Sequence, residues 1–167
     1  VGDAYDDRTM LYGLYRRDPQ LLHKVLLVDK MHKSGFARMV LDKNLRRPEQ
    51  PLEEYLSEEN VAALLRECDL ARNDDRTSEL KGIEREDDRC TLFIRRADRP
   101  EMIVGPSGVQ HGYKPEWIIL DFSASGKRVG ISSMSMTAPV QIANRIAQGY
   151  FGKPCAYMNE SQITATK

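Results

Sequence analysis

The chain has 167 residues, with 25 Lys+Arg against 25 Asp+Glu, and is 41% hydrophobic and 30% charged. A chain of this length buries roughly 70% of its unfolded surface, so neither a disulfide nor a metal is needed for it to fold. Its balanced charge excludes the strongly basic chain that marks general binding to nucleic acid or anionic membranes, and leaves room only for a local basic face.

No apolar run approaches the ~20 residues of a membrane span, and no secretory signal is expected. Three widely spaced cysteines, Cys68, Cys90 and Cys155, fit neither a disulfide framework nor paired C-x-x-C zinc ligands. They are expected to be reduced structural thiols in a cytoplasmic protein without membrane contact. The opening Val1-Gly2-Asp3 fits a processed chain or a domain cut from a longer one.

In chain order, Met10, Leu11, Leu14 and Tyr15 fall at helical spacing between Asp7 and Arg17. Asp18-Pro19 reads as an N-cap and first turn of a second helix that Gly35 ends. Phe36 to Leu45 is either a short strand or a helix. Two prolines, Pro48 and Pro51, mark a loop, after which Ser57-Glu58-Glu59 caps a helix carrying Val61, Leu64, Leu65 and Cys68. Residues 71–89, dense in both charges, read as a solvated connection between a helical half, 1–70, and a β-rich half, 90–160.

In that second half, Cys90–Arg95 and Glu101–Val104 read as strands joined by a turn at 97–100. Gly105 to Lys114, with three glycines and a proline, reads as a loop. Trp117–Phe122 and Arg128–Ser132 form a hairpin about Ala124–Lys127. Apolar residues on both faces of Trp117–Leu120 predict an inner strand covered on both sides. A helix follows from Ala138 to Ala147, then a short edge strand at 155–158, with disorder expected from Ser161. The expected fold is α+β: one domain, 1–167, with the helical half on an antiparallel sheet of about four strands, closed by the C-terminal helix.

Catalytic templates fail. Gly126-Lys127 is followed by Arg128, and Asp121 stands where a P-loop needs its first glycine. Gly105-Pro106-Ser107-Gly108 brings the second glycine of a nucleophile elbow one position early. Ser107 and His111 share the glycine-rich stretch, where an imidazole could face a ligand. His23 and His32 lack the i, i+4 spacing of a helical metal site. Glu79-Leu80-Lys81 matches the short half of a metal-dependent nuclease motif, but in a segment read as a connection.

Two binding signals remain. Ser135 and Thr137, in the Ser/Thr-rich entry to the last helix, suit an anion at a helix N-terminus. Basic groups at element ends, Arg95, Arg96 and Arg99 with Lys127 and Arg128, would make a phosphate-binding face if they converged, with Tyr113 or Trp117 to stack. The leading expectation is a non-catalytic binding or regulatory domain recognising a protein or nucleic-acid partner, without metal or cofactor. A nuclease-like hydrolase and a structural domain of a larger assembly are the alternatives.

Overall fold

The computed structural model describes residues 7–18, 21, 25, 29 and 35–163. Contacts divide the chain at Gly35 into two compact units, Val1–Gly35 and Phe36–Lys167. In the first, helix α1 (Asp7–Arg17) half-buries Leu11 and Leu14 and ends on Arg16 and Arg17, which suit the negative end of its dipole. The second helix, expected to run from Asp18-Pro19 to Gly35, lies largely outside the described residues, as do His23 and His32.

The second unit is α+β. Its elements are β1 (Ala37–Leu41), α2 (Leu52–Tyr55), α3 (Glu58–Arg72), β2 (Ser78–Glu86), β3 (Arg89–Gly105), β4 (Gly108–Ser123), β5 (Arg128–Ser132), α4 (Thr137–Phe151), β6 (Tyr157–Asn159) and α5 (Glu160–Ile163). The strands form one antiparallel sheet in the order β2-β3-β4-β5-β1-β6.

Among the described residues the sheet has six strands where about four were expected, and the first half of the sequence is not wholly helical. The ambiguous run after Phe36 is strand β1, inserted between β5 and β6. Tertiary pairing, which periodicity over so few residues does not report, decides its state.

The charged segment read as a connection is corrected likewise, since Ser78–Glu86 is strand β2. A bulge between Leu80 and Gly82 resets its alternation, so Leu80 pairs with Ile94 and Ile83 with Leu92, although the two lie three positions apart. That shift hides a period of two behind a run of charge. At the sheet edge the remaining charges stay hydrated and discourage edge-to-edge association.

One sheet face and two helices enclose the core. Leu92, Ile94, Ile118, Leu120, Phe122, Val129 and Ile131 meet Val61, Leu64, Leu65 and Cys68 of α3 and Ile142, Ala143, Ile146 and Ala147 of α4. Each fully buried Leu, Ile or Phe contributes about 1.5–3 kcal/mol. Ser57 caps α3 by accepting from Asn60 N at 3.2 Å, as its sequence predicts. Helix α4 ends at Gly152, whose φ of 64° a residue with a Cβ would resist. Ile119 of β4 is as buried as its neighbours Ile118 and Leu120, which bears out the inner strand.

All three thiols are free and buried. Desolvation pushes Cys90 up to about 11 and also raises Cys68 and Cys155, which disfavours the thiolate form of each. Beyond the core, Glu160–Ile163 is a helical turn where disorder was expected from Ser161.

Candidate binding arm and its buried root

Strands β3 and β4 pair from Arg89↔Ser123 to Gly105↔Gly108, far longer than a usual strand of three to ten residues. Among the described residues only their inner half is flanked. On one side β2 stops at the pair Ser78↔Arg96, and on the other β5 stops at Ile119↔Ser132. Among the described residues no strand pairs with either edge of Ala97–Gly105 or Gly108–Pro115. The outer half is thus a two-stranded arm roughly 30 Å long.

The segment read as a loop is therefore strand, turning only at Pro106-Ser107. Gly108, at φ 115°, closes the turn in a conformation that favours glycine. Ser107 lies in the turn and His111 sits on β4 opposite Met102, so the structure does not gather them into a site.

Cross-strand partners share a face. The rows Met102↔His111 and Val104↔Val109 therefore align on one side of the arm. Met102 is 69%, Val104 80% and Val109 56% exposed, and His111 is exposed too. Between Pro100 and Tyr113, the only Asp, Glu, Lys or Arg is Glu101.

The root of the arm is polar and buried. Arg96 and Glu116 face each other across the strands, 2% and 5% exposed, on the core side of the sheet. Arg96 Nη2 donates to both carboxylate oxygens of Asp74 at 2.8 and 2.7 Å, and its Nε lies 3.8 Å from Asp69 Oδ1. The Arg96 guanidinium, chiefly through this hydrogen bond, holds the Asp74 carboxyl below its ordinary range. Asp69 accepts from Ser78 N and Oγ at 2.6 and 2.7 Å, joining the end of α3 to β2. Asp74 also accepts from Arg72 Nε at 3.3 Å, and Arg72 donates to Gln141 of α4 at 3.0 Å.

Glu116 accounts for the Ser/Thr-rich entry to α4. Its Oε1 accepts from Ser133 Oγ at 2.5 Å and from Ser135 N at 2.9 Å. At Ser135 the group that meets the expectation of an anion is the protein's own carboxylate. Thr137 is the first residue of α4, whose N-cap, Met136, makes no side-chain capping bond.

The basic candidates are dispersed. Arg96 is buried against acids, while Arg95 is exposed opposite Trp117 and Glu79. Lys127 donates to Asn44 Oδ1 at 2.8 Å, and Arg128 lies 3.5 Å from Glu160. These two sit by the turn after β4, which the length of that strand separates from Arg95 by roughly 20 Å. Arg99 pairs with Lys114 at the base of the arm; their side chains and that of Tyr113 lie outside the described part of the structure. Trp117 is half-buried.

Glu79 and Lys81 fall on β2, where Lys81 Nζ donates to Glu79 Oε1 at 2.6 Å. Among the described residues no three of His, Cys, Asp and Glu are grouped to hold a metal ion. No helix among them is long and apolar enough to cross a membrane. Comparison with protein-family models, curated proteins and solved structures finds no match.

The arm and its root were missed as a unit in the sequence. The signal available was the alternation of Met102, Val104, Val109 and His111 about a two-residue turn, obscured by Gly105, Gly108 and Gly112.

Proposed function

We propose that this chain is a non-catalytic binding domain that recognises another protein through the apolar face of its β3–β4 arm. One observation carries the reading: Met102, Val104 and Val109 stand exposed on one side of an unflanked hairpin. Scattered exposed apolar residues are ordinary, whereas a contiguous set on a projecting element is typical of an interaction site.

Charge favours protein over nucleic acid as the partner. Phosphate recognition needs several Lys or Arg side chains on one surface, and the tip between Pro100 and Tyr113 has none. Docking by strand addition is disfavoured near the base, where Pro100 and Pro115 each lack an N–H. The side-chain face is the better contact, and a shallow apolar groove on the partner its complement.

The test is site-specific photo-cross-linking of the full chain in cells of its source. A photoreactive residue at position 104 is expected to give a discrete protein adduct that Met102→Asp removes. The same group at Leu70, equally exposed on α3 at 79%, is expected to give none. Equal labelling from both positions, or none from 104, overturns the reading. In parallel, fluorescence polarisation is expected to show no binding to labelled duplex or single-stranded DNA at low salt; tight, salt-sensitive binding would restore the nucleic-acid alternative.

A further inference from the structure

Several independent features meet on one line across the hairpin. The flanking strand β2 makes its last pair at Arg96, and the β3–β4 register shifts between Ala97 and Arg99. Opposite Ala97 stands Pro115, which has no N–H for the ladder. A bulge leaves a residue unpaired and bends its strand, so bulge and proline together weaken the ladder at these rungs.

Immediately inside that line sit Arg96 and Glu116, tied to different segments. Arg96 holds the turn after α3 through Asp74, which itself accepts from Arg76 N at 3.3 Å. That turn takes two left-handed residues, Asn73 at φ 49° and Asp75 at φ 56°. Glu116 holds the segment before α4 through Ser133 and Ser135. Each strand is thus fastened towards a helix at the last residue before the arm leaves the sheet, which fixes the direction in which the arm departs.

We infer that the line through Ala97 and Pro115 is a hinge, and that Arg96 and Glu116 are positioning residues that aim the arm at its partner. The inference rests on the arm being the binding element. Arg96 and Glu116 touch no partner; they act through the direction in which Met102, Val104 and Val109 are presented. Loss of either attachment leaves the apolar face intact but widens the angles over which it is offered. Affinity then falls because a preorganised contact has become a mobile one.

The experiment measures aim without a partner. Spin labels go on Val104→Cys at the tip and Lys153→Cys beyond α4, in the full chain, and electron–electron dipolar spectroscopy gives the distance distribution. The native thiols are buried and resist the label. The parent is expected to give one narrow distribution. Asp74→Ala, Glu116→Ala and Arg96→Met are each expected to broaden it by about twofold. Arg96→Lys, which keeps a cation beside Asp74, is expected to recover most of the narrowing.

A folded Asp74→Ala protein with an unchanged distribution overturns the inference. So does broadening that comes only with faster amide exchange at Ile94, Ile118 and Leu120, since that is general loosening of the sheet. Should Arg96→Met fail to fold, Asp74→Ala decides, because that carboxylate is already 28% exposed. Failure here leaves the cross-link at position 104 untouched, and failure of the cross-link leaves the distance measurement intact.

Discussion

The inner and outer halves of the β3–β4 hairpin share a backbone ladder and differ in almost everything else. From Arg89 to Arg96 and from Glu116 to Ser123, both edges are paired or covered, and Leu92, Ile94, Ile118, Leu120 and Phe122 are fully buried. Beyond Ala97 and Pro115 no strand among the described residues flanks the same two strands, and Met102, Val104 and Val109 are exposed. An isolated two-stranded hairpin is marginal in water. The outer half therefore borrows its order from the inner half, and its apolar side chains contribute little to folding. What they offer is a surface.

That contrast is sharpest in stability. Leu120→Ala, at a position with no exposure on the central strand, is expected to lower the unfolding free energy by about 3–4 kcal/mol in urea denaturation. Arg96→Met comes next, at about 2–3 kcal/mol. Removing one member of a buried ion pair leaves the other desolvated, here softened because Asp74 keeps partial access to water. A cost below about 0.5 kcal/mol for Leu120→Ala would mean that the inner half is not the core, and the comparison would collapse.

The inner half was also the legible half. Trp117 to Phe122 announces an inner strand by apolar residues on both faces, and Ser57-Glu58-Glu59 announces a capped helix, because both signals are local. What escaped was set by pairing at a distance. Strand β2 was hidden by its bulge, which puts Leu80 and Ile83 on one face three residues apart. The arm was hidden because three glycines and a proline mark a loop in most settings, whereas here a two-residue turn suffices. Arg95-Arg96 reads as one basic pair, yet adjacent strand residues point to opposite faces. One is exposed and the other buried against Asp74. The Ser-rich entry to α4 suited an anion, but its occupant, Glu116, lies 17 residues from Ser133 and no local pattern names it.

Smaller effects probe the far end of the sheet. Tyr157 is buried and donates from its hydroxyl to Gly126 O at 2.5 Å, beneath the β4–β5 turn. Desolvation pushes its phenol up, so it stays a donor across the physiological range. Tyr157→Phe removes the donor but keeps the ring beside Phe122, at a centroid distance of 6.2 Å. A loss of about 1 kcal/mol is expected from the unpaired carbonyl, measured by the urea midpoint at constant slope. A much larger loss would show that this end, not the root of the arm, carries the critical polar contact.

Smaller again is the pH dependence of the arm's root. Asp74 is depressed below its ordinary value of 3.8, first by the Arg96 hydrogen bond. A depressed carboxyl contributes stability that is fully present above its unfolded value and is lost as pH falls through the folded one. The parent should therefore be level in this contribution at neutral pH and weaken below 3.8. Asp74→Asn should flatten that part of the profile in urea titrations between pH 2 and pH 5. An unchanged acid limb would place the linkage in other carboxylates and weaken the case for Arg96–Asp74 as the attachment.

The smallest stability effect belongs to the tip, and there a near-zero result is the informative one. Val104 is 80% exposed, so Val104→Asp removes almost no buried area and places its charge in water. Surface changes of this kind stay within about 0.5 kcal/mol, and thermal and urea unfolding are expected to match the parent. The same substitution puts a carboxylate on a face whose opposite residue, Val109, is apolar, and burying an unpaired charge in a contact is costly. The cross-link from a probe moved to position 109 should then be lost while folding is untouched. If Val104→Asp instead unfolds the chain, the outer half is packed against something within the molecule, and the arm belongs to the core rather than to a partner.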